Sequence, residues 1–285
     1  MHWVLPLRSD ALTAIAEAVA WLGSYPFFLI VLMLGYWFQD RDRFTRIAVI
    51  IVFMAVVNGW LKNIWQDPRP DSKYRVDDDY TSSYGRPAGR VQTVAAVWFW
   101  IAYETRLPLA WIAAALIVAG VGLSRLYLGA HDLDDVLTGA AVGFVSLYLF
   151  HWLLSPRFDF FRAWPVAAHL ALMAACGLAM TYTWPTGDSP VPTIAKLALL
   201  FGWIGGAAID RKLAPAPPRR PAWLLCFLAG AAGVVVFFLL QAALRNTVQA
   251  IGIEGVATRY LISAVLGFYM TALAPWTFRV LRVVK

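Results

Sequence analysis

Apolar residues in this chain come in runs of about twenty, each closed by a short polar break. A helix of about twenty residues crosses the roughly 30 Å hydrocarbon core of a bilayer, because each residue rises about 1.5 Å. The runs predict helices over residues 22–38, 46–64, 91–105, 108–124, 135–154, 165–184, 192–209, 222–241 and 256–275. Ahead of Ser24-Tyr25-Pro26, residues 11–20 either begin one long tilted helix or form a separate interfacial helix. The pattern is that of an all-α polytopic membrane protein.

Composition agrees. Sixty per cent of the 285 residues are hydrophobic, mean hydropathy is +0.63, and 14% are charged, against about 25% in soluble domains. A soluble reading would require nearly every helix to be buried on all sides. The net charge of +7 reads as membrane topology and not as a nucleic-acid footprint, since the positive residues gather in alternate breaks. Arg41, Arg43, Arg46, Arg106, Arg157, Arg162, Arg211, Lys212, Arg219, Arg220, Arg279, Arg282 and Lys285 mark a cytoplasmic set. Asp71, Asp77, Asp78, Asp79, Asp132, Asp134, Asp188 and Glu254 mark the opposite, outward set. Lys73, Arg75, Arg86, Arg245 and Arg259 depart from this sorting. The expected setting is a bacterial inner membrane, with the breaks at 65–90 and around residue 131 facing the periplasm or exterior.

Cys176 and Cys226 lie in apolar helices and read as packing residues, and zinc-ligand spacing is absent. No convincing processing site follows the first apolar stretch. Three regions are expected: an N-terminal interfacial or transmembrane segment over 1–39, a core over 40–155 that carries the chemistry, and a helical extension over 156–285. The extension has almost no internal charge, which suits packing, a homo-oligomer or membrane-partner surface, or a lipid groove. The Pro- and Arg-rich stretch 215–221 reads as a stiff basic connector.

One histidine has chemical company. His131 follows Arg125 by six residues and precedes Asp135 by four; His2, His151 and His169 have no such neighbours. If residues 131–135 are helical, His131 and Asp135 share a face. The carboxylate could then take one ring N–H, fix the tautomer, and support positive charge on a histidine that attacks phosphorus. Lys62, Arg69 and Arg125 fall on the same expected membrane side. Arginine grips two phosphate oxygens and lysine supplies a point charge, so the set suits a phosphoryl group. No metal or other cofactor is called for by these residues.

These residues resemble the type 2 phosphatidic acid phosphatase (PAP2) superfamily. Its first motif, K-x6-R-P, is matched by Lys62 through Arg69-Pro70. Its third, S-R-x5-H-x3-D, is matched by Ser124-Arg125, His131 and Asp135. The resemblance covers roughly residues 40–155. It implies a helical membrane core with an outward site and metal-independent phosphoryl transfer through phosphohistidine, while the apolar runs themselves add about four C-terminal helices beyond that core. His131 would be the nucleophile and Asp135 its orienter, with Lys62, Arg69, Ser124 and Arg125 on the phosphate.

The middle motif departs from the family pattern. P-S-G-H becomes Pro87-Ala88-Gly89-Arg90. Gly89 can still turn backbone N–H groups toward an anion. Arg90 stands where the family has its general acid, and a guanidinium cannot cycle a proton near pH 7. Two readings follow. In one, the chain transfers or hydrolyses a phosphoryl group of a polyprenyl or other lipid diphosphate, whose leaving phosphate needs no proton and is neutralised by Arg90. In the other, it binds, transports or flips a phosphorylated membrane lipid without cleaving it.

Overall fold

A computed structural model describes residues 2–76, 83–154, 164–185, 189–214, 223–253 and 255–283. The described residues form helices and connecting turns. They are α1 (Asp10–Trp21), α2 (Tyr25–Phe38), α3 (Arg41–Trp65), α4 (Gly89–Thr105), α5 (Pro108–Tyr127), α6 (Leu133–Leu153), α7 (Val166–Thr183), α8 (Val191–Leu213), α9 (Trp223–Ile251), α10 (Val256–Phe268) and α11 (Ala274–Val280). A π-helical turn, Tyr269–Leu273, joins α10 to α11, so one segment runs from Val256 to Val280.

Among the described residues, seven of these segments are long and apolar enough to cross a membrane. α1 and α2 make a further, broken one: they meet at 47° across Leu22–Ser24. α1 is thus a helix separate from the one that follows Ser24, and the long unbroken helix expected as one alternative does not form. α4 has only 17 residues, about 25 Å of rise. It is the inner helix of its group, with Val94, Ala95, Ala96 and Val97 buried. α9 runs ten residues beyond its expected end at 241, because Gln241–Ile251 keeps good helix formers although it turns polar.

The chain divides into two compact units. The first comprises Met1–Phe28, Phe53–Phe160 and Trp184–Ser189. Here α4 packs against α5 and α6, and α1 against α5. Trp100 meets Phe150 edge-on at 5.3 Å, and Phe99 meets Phe144 at 5.0 Å. A buried polar bridge fixes the end of α3 to the start of α4: Asn58 Nδ2 donates to Pro87 O at 3.0 Å and Gln92 Oε1 at 2.8 Å. Gln92 Nε2 reaches back to Met54 O at 3.3 Å. In an apolar setting such groups are costly unless bonded, so the bridge sets where the connection between these helices must lie.

The second unit comprises Leu29–Val52, Phe161–Thr183 and Pro190–Lys285. Its helices are less free of charge than the sequence pattern suggested. Asp210, fully buried in the last turns of α8, accepts from Arg279 Nη1 at 2.6 Å and Tyr36 Oη at 3.2 Å, with Arg41 Nη1 at 3.3 Å. Trp203, two turns earlier in α8, is fully buried, its Nε1 donating to Thr45 Oγ1 at 3.1 Å.

Candidate active site

The first unit gathers every candidate side chain named above. Lys62 lies in the last turn of α3, Arg69 in the turn that follows, Arg90 in the first turn of α4, and Ser124 and Arg125 in the last turn of α5. His131 is the fourth residue of the five-residue connection to α6, which Asp132 closes, and Asp135 sits in the first turn of α6.

The α5–α6 connection is tight because the chain folds back on itself. Gly129 N donates to Leu126 O at 3.1 Å, and Ala130 N to Arg125 O at 3.1 Å. Gly129 adopts φ +69°, and a Cβ there would stand 1.6 Å from Tyr74 O, so only glycine fits. The fold-back leaves His131 against the end of α5. α6 then begins with a reciprocal cap. Asp132 Oδ1 accepts from Asp135 N at 2.9 Å, while Asp135 Oδ2 accepts from Asp132 N at 3.3 Å.

The same Oδ2 lies 2.9 Å from His131 Nδ1. A carboxylate only accepts, so Nδ1 carries the proton and Nε2 keeps its lone pair. His131 is 6% exposed and Asp135 is fully buried. Burial, with the charges of Lys62, Arg69, Arg125 and Arg90, pushes the His131 imidazolium well below the ordinary histidine range. The ring is therefore a neutral nucleophile-type imidazole with its free nitrogen in a cationic setting.

Arg90 acts on this group by its charge, which disfavours protonation of both His131 and Arg69. The acidic run Asp77–Asp79 lies outside the described residues. Gly89 packs against Asn58, whose Oδ1 would lie 2.8 Å from a Cβ at that position. Ser124 is buried, and its hydroxyl donates to Val121 O at 2.7 Å.

Sequence reasoning missed Ser83. Its carbonyl accepts from Arg69 Nε at 2.5 Å, and its hydroxyl accepts from Arg69 Nη2 at 2.9 Å and faces Lys62 Nζ at 3.4 Å. Lys62 also donates to Tyr84 O, and Arg69 Nη1 to Ala130 O at 3.0 Å. Two of the cations thus hold oxygens of the chain itself, in a geometry a phosphoryl oxygen could replace. Burial, assisted by nearby cations and opposed by Asp135, lowers the Arg69 guanidinium to about 10, so it stays charged. Asp67 was also left unplaced by sequence. One of its carboxyl oxygens lies within 4.8 Å of oxygens of Asp132 and Asp135. Such a trio could hold a cation, but Asp132 and Asp135 already accept hydrogen bonds and Arg86 Nε stands 4.0 Å from Asp67 Oδ2.

Residues 43–159 match the PAP2 superfamily, and residues 194–285 match the transmembrane extension of PAP2 superfamily phosphatases. Phosphatidylglycerophosphatase B of Bacillus subtilis is 30% identical over 156 residues, covering 50% of this chain and 75% of that protein. Dihydrosphingosine 1-phosphate phosphatase YSR3 of Saccharomyces cerevisiae is 25% identical over 234 residues, 76% of this chain and 56% of that protein. The chain thus spans little more than half of the yeast relative. A crystal structure of a transmembrane PAP2-type phosphatidylglycerolphosphate phosphatase from Bacillus subtilis aligns with a TM-score of 0.47 at 26% identity, over 53% of this chain and 81% of that one.

Proposed function

We propose that this chain, which belongs to the PAP2 superfamily, transfers a phosphoryl group from a membrane lipid phosphate through phosphorylated His131. The observation that carries the reading is the pairing of the buried His131 Nδ1 with Asp135, which leaves Nε2 unprotonated amid four cations. Nε2 attacks phosphorus, the N–P bond forms, and the P–O bond to the leaving group breaks. The leaving oxygen keeps the bonding electron pair. Lys62, Arg69 and Arg125 hold the equatorial oxygens, where charge grows in the transition state. The incoming phosphoryl takes over the acceptor places of Ser83 and Tyr84. Water, or a second lipid hydroxyl, then attacks the phosphorus, the N–P bond breaks with its electron pair returning to Nε2, and the attacking oxygen's proton passes to solvent.

The preferred substrate is a lipid diphosphate. An alkoxide leaving from a monoester needs a proton in the transition state, and a missing general acid costs about 10²–10⁴-fold. A phosphate leaving group has its last pKa near about 6 and departs as an anion. Arg90, whose charge reaches His131, can neutralise that anion. The two relatives described above are named for phosphomonoester lipids, so the test must include both classes.

Purified chain is incubated with polyprenyl diphosphate, dihydrosphingosine 1-phosphate or phosphatidylglycerophosphate, and phosphate release and acid-labile, base-stable protein label are measured. Expected are label on His131 and faster release from the diphosphate. Arg90→His with Ala88→Ser should raise monoester turnover more than diphosphate turnover; an equal effect on both sinks the leaving-group argument. Salt-sensitive lipid binding with no label and no release from any of the three lipids would instead support binding, transport or flipping. Arg90 in place of an acid is what favours that second reading.

A further inference from the structure

Asp135 is fully buried, yet only one of its carboxylate oxygens is used. Oδ2 accepts from His131 Nδ1 and Asp132 N, whereas Oδ1 has no hydrogen-bond partner among the described residues. A buried carboxylate oxygen without a donor is costly, so the site requires one. Asp67 is close enough to supply one. Its carboxyl lies within 4.8 Å of those of Asp132 and Asp135, and its backbone carbonyl is pinned by Gly85 N at 2.8 Å. Gly85 packs directly on the Asp135 carboxylate: a Cβ there would meet Oδ2 at 2.9 Å and Oδ1 at 3.0 Å.

We propose that Asp67 is a positioning residue whose protonated carboxyl donates its O–H to Asp135 Oδ1, so that Asp67, Asp135 and His131 form one array behind the nucleophile. The inference rests on His131 as the nucleophile, but it makes a claim about a proton that can fail separately. The charges around it are consistent. Arg86 and Asp132 face Asp67; Lys62, Arg69 and His131 face Asp135; Arg125 and Arg90 add their charge at His131. Burial pushes the Asp67 carboxyl above the ordinary carboxylate range, Arg86 opposes this, and the charges of Asp135 and Asp132 reinforce it. When pH rises through that ionisation, the O–H bond breaks, the proton passes to solvent, and Asp67 is left as a carboxylate with Arg86 as its counter-charge. Asp135 Oδ1 then loses its donor and faces a like charge.

Two substitutions separate the roles. Asp67→Asn keeps an N–H donor at every pH; Asp67→Ala keeps none. In full-length protein without substrate, an infrared pH titration should show a protonated-carboxyl band persisting above the ordinary carboxylate range in the wild type and absent from Asp67→Asn. Phosphohistidine labelling of the wild type should fall as pH rises through the same ionisation. Asp67→Asn should label at the wild-type acid-limb rate throughout, and Asp67→Ala should label about five-fold more slowly, the scale of one lost hydrogen bond. The proposal is overturned if the wild type has no such band, or if Asn behaves like Ala. It is also overturned if chelator abolishes labelling and Mg²⁺ restores it, since a metal ion would then join the carboxylates. The wild-type infrared titration decides the matter even where a variant does not fold. A band that titrates as described in a protein that takes no label supports the shared proton and refutes phosphoryl transfer.

Discussion

The sharpest prediction concerns Asp135→Asn. The side chain is fully buried, and its Oδ2 serves both His131 Nδ1 at 2.9 Å and the cap at Asp132 N. Asparagine is isosteric and can point its carbonyl at both groups, so the tautomer of His131 and the capping box survive. The negative charge is what disappears. A hydrogen bond to a charged group contributes about 1.5–3 kcal/mol, against about 1 kcal/mol for a neutral one. The difference applies most strongly when His131 gains positive charge as the N–P bond forms, beside Lys62, Arg69, Arg125 and Arg90. That difference, about 0.5–2 kcal/mol in the transition state, is about a 2- to 30-fold slower labelling of His131. Folding should change little, because the cap is kept. Asp132→Ala is the matching control: it removes the cap, costs about 1 kcal/mol of stability, and should leave the labelling rate within a few-fold. Rapid-quench labelling and thermal unfolding of all three proteins give both numbers. If Asp135→Asn labels within two-fold of wild type while His131→Ala takes no label, Asp135 does not support the nucleophile.

Two further outcomes are expected. His131 is held below its ordinary pKa, so the folded state binds fewer protons than the unfolded state; stability should be full above about pH 6.5 and fall as pH drops toward the folded-state pKa. His131→Gln should flatten that acid limb in unfolding measured from pH 7 to pH 4, and an unchanged slope refutes the assignment. In the second unit, Asp210→Ala strands Arg41 and Arg279 without their shared carboxylate and should destabilise by about 3–5 kcal/mol, read as loss of folded protein after heating in detergent; Asp210→Asn should retain part of that stability through Tyr36.

What sequence could and could not convey follows from the range of each interaction. The helices were legible because a bilayer demands long apolar runs whatever their neighbours, and α3, α5, α6, α7 and α8 lie where the runs do. The exceptions are positions where apolarity is not the deciding force. α9 continues through Gln241–Ile251 on backbone propensity, and α1 meets α2 at a bend that hydropathy does not encode. Within the site, His131 and Asp135 were legible because they lie four residues apart, and their bond spans only the end of one connection and the first turn of α6. Lys62 and Arg69 belong to one short interval, but what they hold was hidden: Ser83 comes from 14 to 21 residues away, with no feature marking it. Asp67 was in plain view between Lys62 and Arg69 and carried no signal of its own. Its meaning depends on Gly85 bringing one loop against the first turn of α6, which leaves a second carboxyl beside an oxygen that has no donor. A motif therefore reports the groups proposed to bind phosphate, while the groups that hold them are set by tertiary contacts between loops. Arg90 lies at the border between the two. Its place in the chain was legible, but that its charge is felt at His131 depends on α4 packing against α5 and α6.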